Sequence, residues 1–151
     1  RTGGLLRGAM LTHHPEMLRA VLSQVCIYDA LCVETQANGE FNVTEFGSTQ
    51  NPAQFRALSA YSPLANVKDG TKYPAVLLTT GDNDGRVAPY ESRKMAARLQ
   101  AASSSDSPIL LRTEAAAGHG IGTALSTRID ELADVYSFLI DQLGMKLVAP
   151  K

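Results

Sequence analysis

No run of about 18 apolar residues occurs in this 151-residue chain, so no segment is long enough to cross a bilayer as a helix. Charge of one sign is also lacking. Fourteen basic side chains against 15 acidic ones give a formal net charge of -1, which supplies no field for a nucleic acid or an anionic membrane surface. Cysteine is scarce. Cys26 and Cys32 come with no Cys-x-x-Cys and no clustered histidine, so a metal site is not expected. Two buried or half-buried free thiols in a reducing compartment are the plainer reading, and a cytoplasmic location is expected over a secreted one. No apolar leader opens the chain. It starts Arg1-Thr2-Gly3-Gly4, without Met and without a preceding strand, as the interior of a domain would. Finally, there is no Gly-x-Ser-x-Gly, the motif that sets a nucleophilic serine on a strand-to-helix elbow.

What is present is an ordinary single domain: 44% hydrophobic and 19% charged residues suffice for one core. Leu5, Leu6, Ala9 and Met10 recur at helical spacing, and Gly3-Gly4 would let that helix approach a neighbouring backbone. Arg19 to Val25 reads as a strand buried on both faces. Cys26 to Asn51 is an excursion with at most short helices. Pro52 to Tyr61 predicts a helix with Phe55, Leu58 and Ala60 inward, ended by Ser62-Pro63. Ala75 to Thr80 is a second strand. Pro89 opens a helix whose inner face is Met95, Ala96 and Leu99, and Pro108 to Thr113 is a third strand. The last helix carries a stripe of Leu125, Ile129, Leu132, Val135, Tyr136, Leu139, Ile140 and Leu143, stopped by Gly144. Strands alternating with helices predict an α/β fold, a parallel sheet flanked by helices with about three strands from this chain.

Two residues carry the chemistry. The second strand runs into Gly81-Asp82-Asn83-Asp84-Gly85-Arg86-Val87, and the third into Ala117-Gly118-His119-Gly120. Reacting groups in open α/β sheets gather beyond the carboxyl ends of the strands. An acid after one strand and a histidine after the next is the back half of a Ser…Asp…His relay in the chain order of α/β-hydrolases. There a carboxylate fixes the imidazole tautomer and stabilises the imidazolium. Asp82 competes with Asp84 for the acid role, with an Asx turn as its other reading. Arg86 reads as a donor to a substrate carbonyl or carboxylate, or as one half of a surface ion pair. His13 and His14 read as helix-end or solvent-facing residues.

With these segments on the page, the chain resembles the prolyl oligopeptidase family of serine peptidases. The likeness runs through Gln24-Val25-Cys26-Ile27-Tyr28-Asp29, Thr44-Glu45-Phe46-Gly47, Phe55-Arg56-Ala57-Leu58, Tyr61-Ser62-Pro63-Leu64, the acid segment from Tyr73 to Pro89, the helix from Ser92 to Gln100 and the loop Ala117 to Gly120. The resemblance implies the C-terminal portion of an α/β-hydrolase domain over residues 1–151, cleavage of peptide or carboxylic ester bonds, and no cofactor. It implies Asp84 as triad acid, His119 as triad base, Arg86 as a substrate contact, and Ile27, Phe46 and Val87 as walls of the pocket for the residue before the cleaved bond. The family stacks a tryptophan on proline in that pocket. This chain has no Trp and Asn42 falls near that place, so specificity broader than proline is expected.

The largest departure is at the start. Where the family reads Gly-Gly-Ser-Asn-Gly-Gly-Leu, this chain reads Arg1-Thr2-Gly3-Gly4-Leu5. Arg1 takes the serine position, and the family's early strands and β-propeller have no counterpart in the sequence. The chain is then either a catalytically inactive scaffold or binding fragment, or a hydrolase with a substitute nucleophile. Cys26 is the leading substitute, ahead of Thr2, Ser23 and Ser48. The missing neighbour strand would leave the edge at Ala20 to Val25 bare, and a homodimer or higher oligomer through that edge is expected.

Overall fold

The computed structural model describes residues 2–120 and 123–147. Its elements are α1 (Thr2–His13), β1 (Ala20–Gln24), α2 (Gly39–Phe46), α3 (Pro52–Tyr61), β2 (Ala75–Gly81), α4 (Tyr90–Ala102), β3 (Ile109–Glu114) and α5 (Leu125–Gln142), with three short 3-10 turns between them. The strands form one parallel sheet in the order β1-β2-β3. Val21 lies opposite Val76, and Val76 opposite Ile109. The central strand β2 is buried at all seven positions, as a strand covered on both faces must be.

The twofold alternation of β2 divides the core. Val76 and Leu78 face α1 and α4, packing with Leu11, Val21, Met95, Ala96 and Leu99. Ala75 and Leu77 face α5 and meet Val135 and Phe138. The expected inner face of α4 is the buried one. β1 is shorter than expected and only half covered: Val21 and Ser23 are buried, while Ala20 and Leu22 are intermediate. It ends because Val25 adopts φ 47°, a left-handed conformation that a β-branched residue rarely takes.

Three helical faces differ from expectation. In α5 only Val135 and Phe138 are buried, whereas Leu125, Ile129, Leu132, Tyr136 and Leu143 are exposed. The sheet covers the middle of that stripe and not its ends. In α3 Leu58 alone is buried, and Phe55 and Ala60 face outward. In α1 the buried face is Gly4, Leu5, Gly8, Leu11 and Thr12, with Leu6 exposed. Small residues set that face. A Cβ on Gly4 would stand 2.0 Å from Cys26 Sγ, so the helix sits on the chain leaving β1. The helix ends follow the sequence. Asn51 Oδ1 accepts from the Ala53 and Gln54 N–H groups ahead of Pro52, as an N-cap does. Gly144 at φ 64° closes α5, the Met145 N–H reaching Ile140 O in a Schellman motif.

Candidate active site

The loops after β2 and β3 are joined by their backbones. Asp82 N–H donates to Glu114 O at 3.0 Å and Asn83 N–H to Ala117 O at 3.1 Å. Asn83 Nδ2 donates to Ala115 O at 2.8 Å. The approach is close enough that a Cβ on Gly81 would lie 2.3 Å from Ala117 O, so only glycine fits there.

This junction brings Asp84 and His119 together. His119 Nδ1 lies 2.7 Å from Asp84 Oδ2. The Asp84 side chain is fully buried, whereas the imidazole is 23% exposed. Asp84 Oδ1 accepts the N–H groups of Arg86 at 2.8 Å and Val87 at 2.9 Å. One oxygen thus shapes the acid loop as an Asx turn, and the other holds the ring. An acceptor at Nδ1 places the neutral ring's proton there and leaves Nε2 as the basic nitrogen. Asp82 is exposed and pairs with Arg93 at 2.7 Å. Of the two acids competing at sequence level, Asp84 faces the histidine.

The remaining candidates fall into two groups. Ile27 and Val87 are buried in one apolar cluster with Val33, and Phe46 packs against it. The three proposed pocket residues are therefore neighbours, joined by Val33, which sequence reasoning missed. Arg86 is exposed, and among the described residues its guanidinium makes no ion pair. Cys26 does not reach the site. It is 0% exposed, beneath Gly4 of α1. Its Sγ lies 3.2 Å from Ser23 Oγ and donates to Gln24 O at 2.9 Å. A nucleophile needs an open approach, so the expectation that Cys26 substitutes for serine is corrected: the end of β1 turns the thiol under α1. Ser23 is buried, and Thr2 Oγ1 donates to Glu45 Oε1 at 2.7 Å. Cys32, by contrast, is exposed, against the expectation of two covered thiols. Arg1 lies outside the described residues.

Two further residues shape the site without a clear signal in the sequence. Glu91, on the first turn of α4, is 0% exposed. Its Oε2 accepts the N–H groups of Tyr28 and Asp29, each at 2.8 Å, and Gln36 Nε2 donates to Oε1. Burial raises its pKa above the ordinary carboxylate value, opposed by the two backbone donors. Glu91 thereby fixes the loop that carries Ile27. A glutamate in a first helical turn reads in sequence as a solvent-facing partner of the helix dipole, which hides this role. Beside it Lys94 pairs with Asp29 at 2.5 Å. Burial pushes the Asp29 carboxyl up, but the Lys94 contacts prevail and its pKa is lowered. The second is Val25, whose left-handed backbone borders a cleft of about 200 Å³ next to His119, at the carboxyl ends of the strands. Among the described residues no cluster of three or more metal-ligating side chains occurs.

The chain is similar to known proteins over nearly its whole length. The model of the prolyl oligopeptidase family matches residues 2–146. A prolyl endopeptidase of Dictyostelium discoideum is 38% identical over 148 residues, covering 96% of this chain and 20% of the relative. A solved prolyl endopeptidase structure superimposes with a TM-score of 0.91 at 37% identity, over 95% of this chain and 21% of that one. Prolyl oligopeptidase B from Galerina marginata, bound to a 35mer hydrolysis and macrocyclization substrate, gives a TM-score of 0.91 at 28% identity, over 97% of this chain and 21% of that one. The chain spans about one fifth of the length of these relatives. By sequence and by fold, this chain belongs to the prolyl oligopeptidase family.

Proposed function

We propose that residues 1–151 form the C-terminal portion of an α/β-hydrolase domain and supply the acid and base of a serine-type hydrolase. That enzyme cleaves peptide or carboxylic ester bonds by acyl transfer. The observation carrying this reading is the 2.7 Å contact from His119 Nδ1 to Asp84 Oδ2. With Asp84 holding Nδ1, Nε2 takes the proton of an attacking hydroxyl as it adds to the carbonyl carbon. Nε2 then returns that proton to the leaving amine or alcohol, and water repeats the cycle on the acyl-enzyme. Asp84 stabilises the transient imidazolium. Arg86, exposed and without an ion pair among the described residues, is the donor to substrate. Ile27, Phe46 and Val87 wall the pocket for the residue before the scissile bond.

The hydroxyl is the open term, because Arg1 stands where the resemblance assigns serine. The test is to restore it. The protein is expressed from its own reading frame, with any residues that precede Arg1, and carries Arg1→Ser. Fluorophosphonate labelling and hydrolysis of short peptide p-nitroanilides and p-nitrophenyl esters are expected, at rates on the order of a thousandfold above the Arg1 form. Both are lost on adding His119→Ala. An Arg1→Ser protein that neither labels nor hydrolyses any substrate overturns the reading in favour of an inactive scaffold.

The open edge of β1 supports self-association. Among the described residues β1 pairs only with β2, and an apolar groove lined by Leu6, Met10, Leu18, Val21 and Leu22 runs beside it. An unpaired strand edge next to apolar side chains recruits another strand, so the 151-residue chain forms a homodimer or higher oligomer. A monomer by light scattering at micromolar concentration refutes this. No described helix is long and apolar enough to cross a membrane. The two unpaired thiols support a reducing, cytoplasmic setting.

A further inference from the structure

An asparagine that opens a helix ordinarily caps it, its side-chain oxygen accepting an N–H of the first turn. Asn38 holds that place at the head of α2 and makes no side-chain cap. Its carboxamide turns to the acid loop instead. Nδ2 donates to Gly85 O at 2.9 Å and to Arg86 O at 3.3 Å. Both partners only accept, and the two hydrogens of Nδ2 serve them together. The same two peptide units are held at their other ends, because the N–H groups of Arg86 and Val87 both donate to Asp84 Oδ1. The peptide planes on either side of the Arg86 Cα are therefore gripped twice, at N–H by Asp84 and at C=O by Asn38. Asn38 is itself well rooted. The Gly39 N–H donates to Gln36 O at 2.8 Å, and Gln36 Nε2 donates to the buried Glu91. Arg86, in contrast, is exposed, and among the described residues its guanidinium makes no ion pair. Its backbone alone fixes where that side chain starts.

From this clamp we infer that Asn38 is a positioning residue for Arg86: it fixes the root from which the guanidinium reaches a substrate carbonyl or carboxylate. The inference rests on the hydrolase reading above, in which Arg86 is the donor to substrate. A long side chain loses rotational freedom each time it engages a ligand, and a loose backbone at its root adds to that loss. Clamping both peptide planes removes the backbone share before substrate arrives. The effect belongs to binding and not to proton transfer. His119 is held by Asp84 Oδ2, the oxygen that takes no part in the clamp, so the relay keeps its contact without Asn38. Asn38 acts through Arg86 alone.

The experiment is a double-mutant cycle in the Arg1→Ser protein, with Asn38→Ala and Arg86→Ala made singly and together and peptide p-nitroanilides as substrates. Arg86→Ala is expected to lower kcat/KM by about 10- to 100-fold, the range for a hydrogen bond to a charged group. Asn38→Ala is expected to lower it by about 3- to 10-fold, through KM with kcat kept within about twofold. Once Arg86 is alanine, the same change should cost less than about twofold. Asn38→Asp keeps the shape but can only accept, and serves as a second variant with a loss at least as large. Both variants are expected to melt near the parent, since no helix cap is removed, and to exchange the Arg86 and Val87 amide hydrogens several-fold faster. Unchanged kcat/KM in both variants overturns the inference and leaves the hydrolase reading intact. So does a loss as large without Arg86 as with it, which places the action of Asn38 elsewhere, and so does unchanged exchange at the two amides. A parent that hydrolyses no peptide overturns the hydrolase reading, and this role with it.

Discussion

Glu91 offers the sharpest test of how the site is held. Replacing it by alanine strands three donors, the Tyr28 and Asp29 amides and Gln36 Nε2. Tyr28 and Asp29 are 1% and 7% exposed, so water cannot readily take the place of the carboxylate. Each buried donor left unpaired costs about 1–3 kcal/mol. Relief of the desolvated charge offsets part of this, and a net loss of about 3–5 kcal/mol is expected. Glu91→Gln should behave differently. Its amide oxygen still accepts both backbone N–H groups, and the Gln36 carboxamide turns to present its own oxygen. The cost at neutral pH is then about 0–1 kcal/mol. The pH dependence separates charge from shape. Burial raises the Glu91 pKa above the ordinary glutamate value, so between the ordinary value and the raised one the native state holds a proton that the unfolded chain has released. Native then binds more protons than unfolded, and stability falls as pH rises through this window. Glu91→Gln removes that contribution. Urea denaturation from pH 4 to pH 8 reads both effects. An alanine variant as stable as the parent, or a glutamine variant with an unchanged pH profile, refutes the reasoning.

Three other outcomes follow from the same geometry. Asp84→Asn keeps an oxygen for the Arg86 and Val87 amides but turns an N–H₂ group toward His119 Nδ1, forcing the other tautomer; in the Arg1→Ser protein kcat should fall by about 10⁴ with near-native melting. Gly81→Ala drives a methyl into Ala117 O at 2.3 Å and should cost about 1–3 kcal/mol in urea denaturation, parting the acid and histidine loops. In a thiol titration Cys32 should react in the native protein and Cys26 only after unfolding, because the first is exposed and the second buried; two fast thiols would contradict the packing of α1.

The sheet was legible because its signal is local. Ala75 to Leu78 is continuously apolar and short, as a strand covered on both faces reads. The acid and histidine were legible because each lies in the glycine-containing turn that follows a strand. The extent of burial was not legible. The stripe from Leu125 to Leu143 is evenly apolar in sequence, yet only Val135 and Phe138 are buried, since burial depends on how many strands lie beneath a helix. Glu91 was invisible for a similar reason. Its partners are the Tyr28 and Asp29 amides, more than 60 positions away, and no pattern in one sequence reports a contact of that span. The position of Cys26 was misjudged because the left-handed turn at Val25 carries no glycine to announce it.

The pairing of Asp84 with His119 rests chiefly on contacts within the turns after β2 and β3, with Asn38 Nδ2 bracing the acid loop at Gly85 O and Arg86 O. Asp84 Oδ1 is fixed by two amides of its own loop. The two loops are fixed to each other by Asp82, Asn83 and the tight contact at Gly81. His119 is held by the remaining oxygen. Apart from the Asn38 brace, these contacts come from the turns after β2 and β3, which the register of neighbouring parallel strands brings side by side. The carboxylate and base are thus preorganised mainly by these two turns, in contrast to the proposed pocket, whose apolar cluster is drawn from Ile27, Val33, Phe46 and Val87 and whose loop is fixed by Glu91. This separation predicts a split in kinetics. In the Arg1→Ser protein, a change that loosens the proposed pocket loop, such as Glu91→Ala assayed where it stays folded, raises KM or alters side-chain preference with kcat kept within about threefold, because the relay geometry is untouched. A change within the two turns lowers kcat for every substrate alike. If Glu91→Ala lowers kcat uniformly and leaves KM unchanged, the pocket and the relay are one mechanical unit and the separation is wrong.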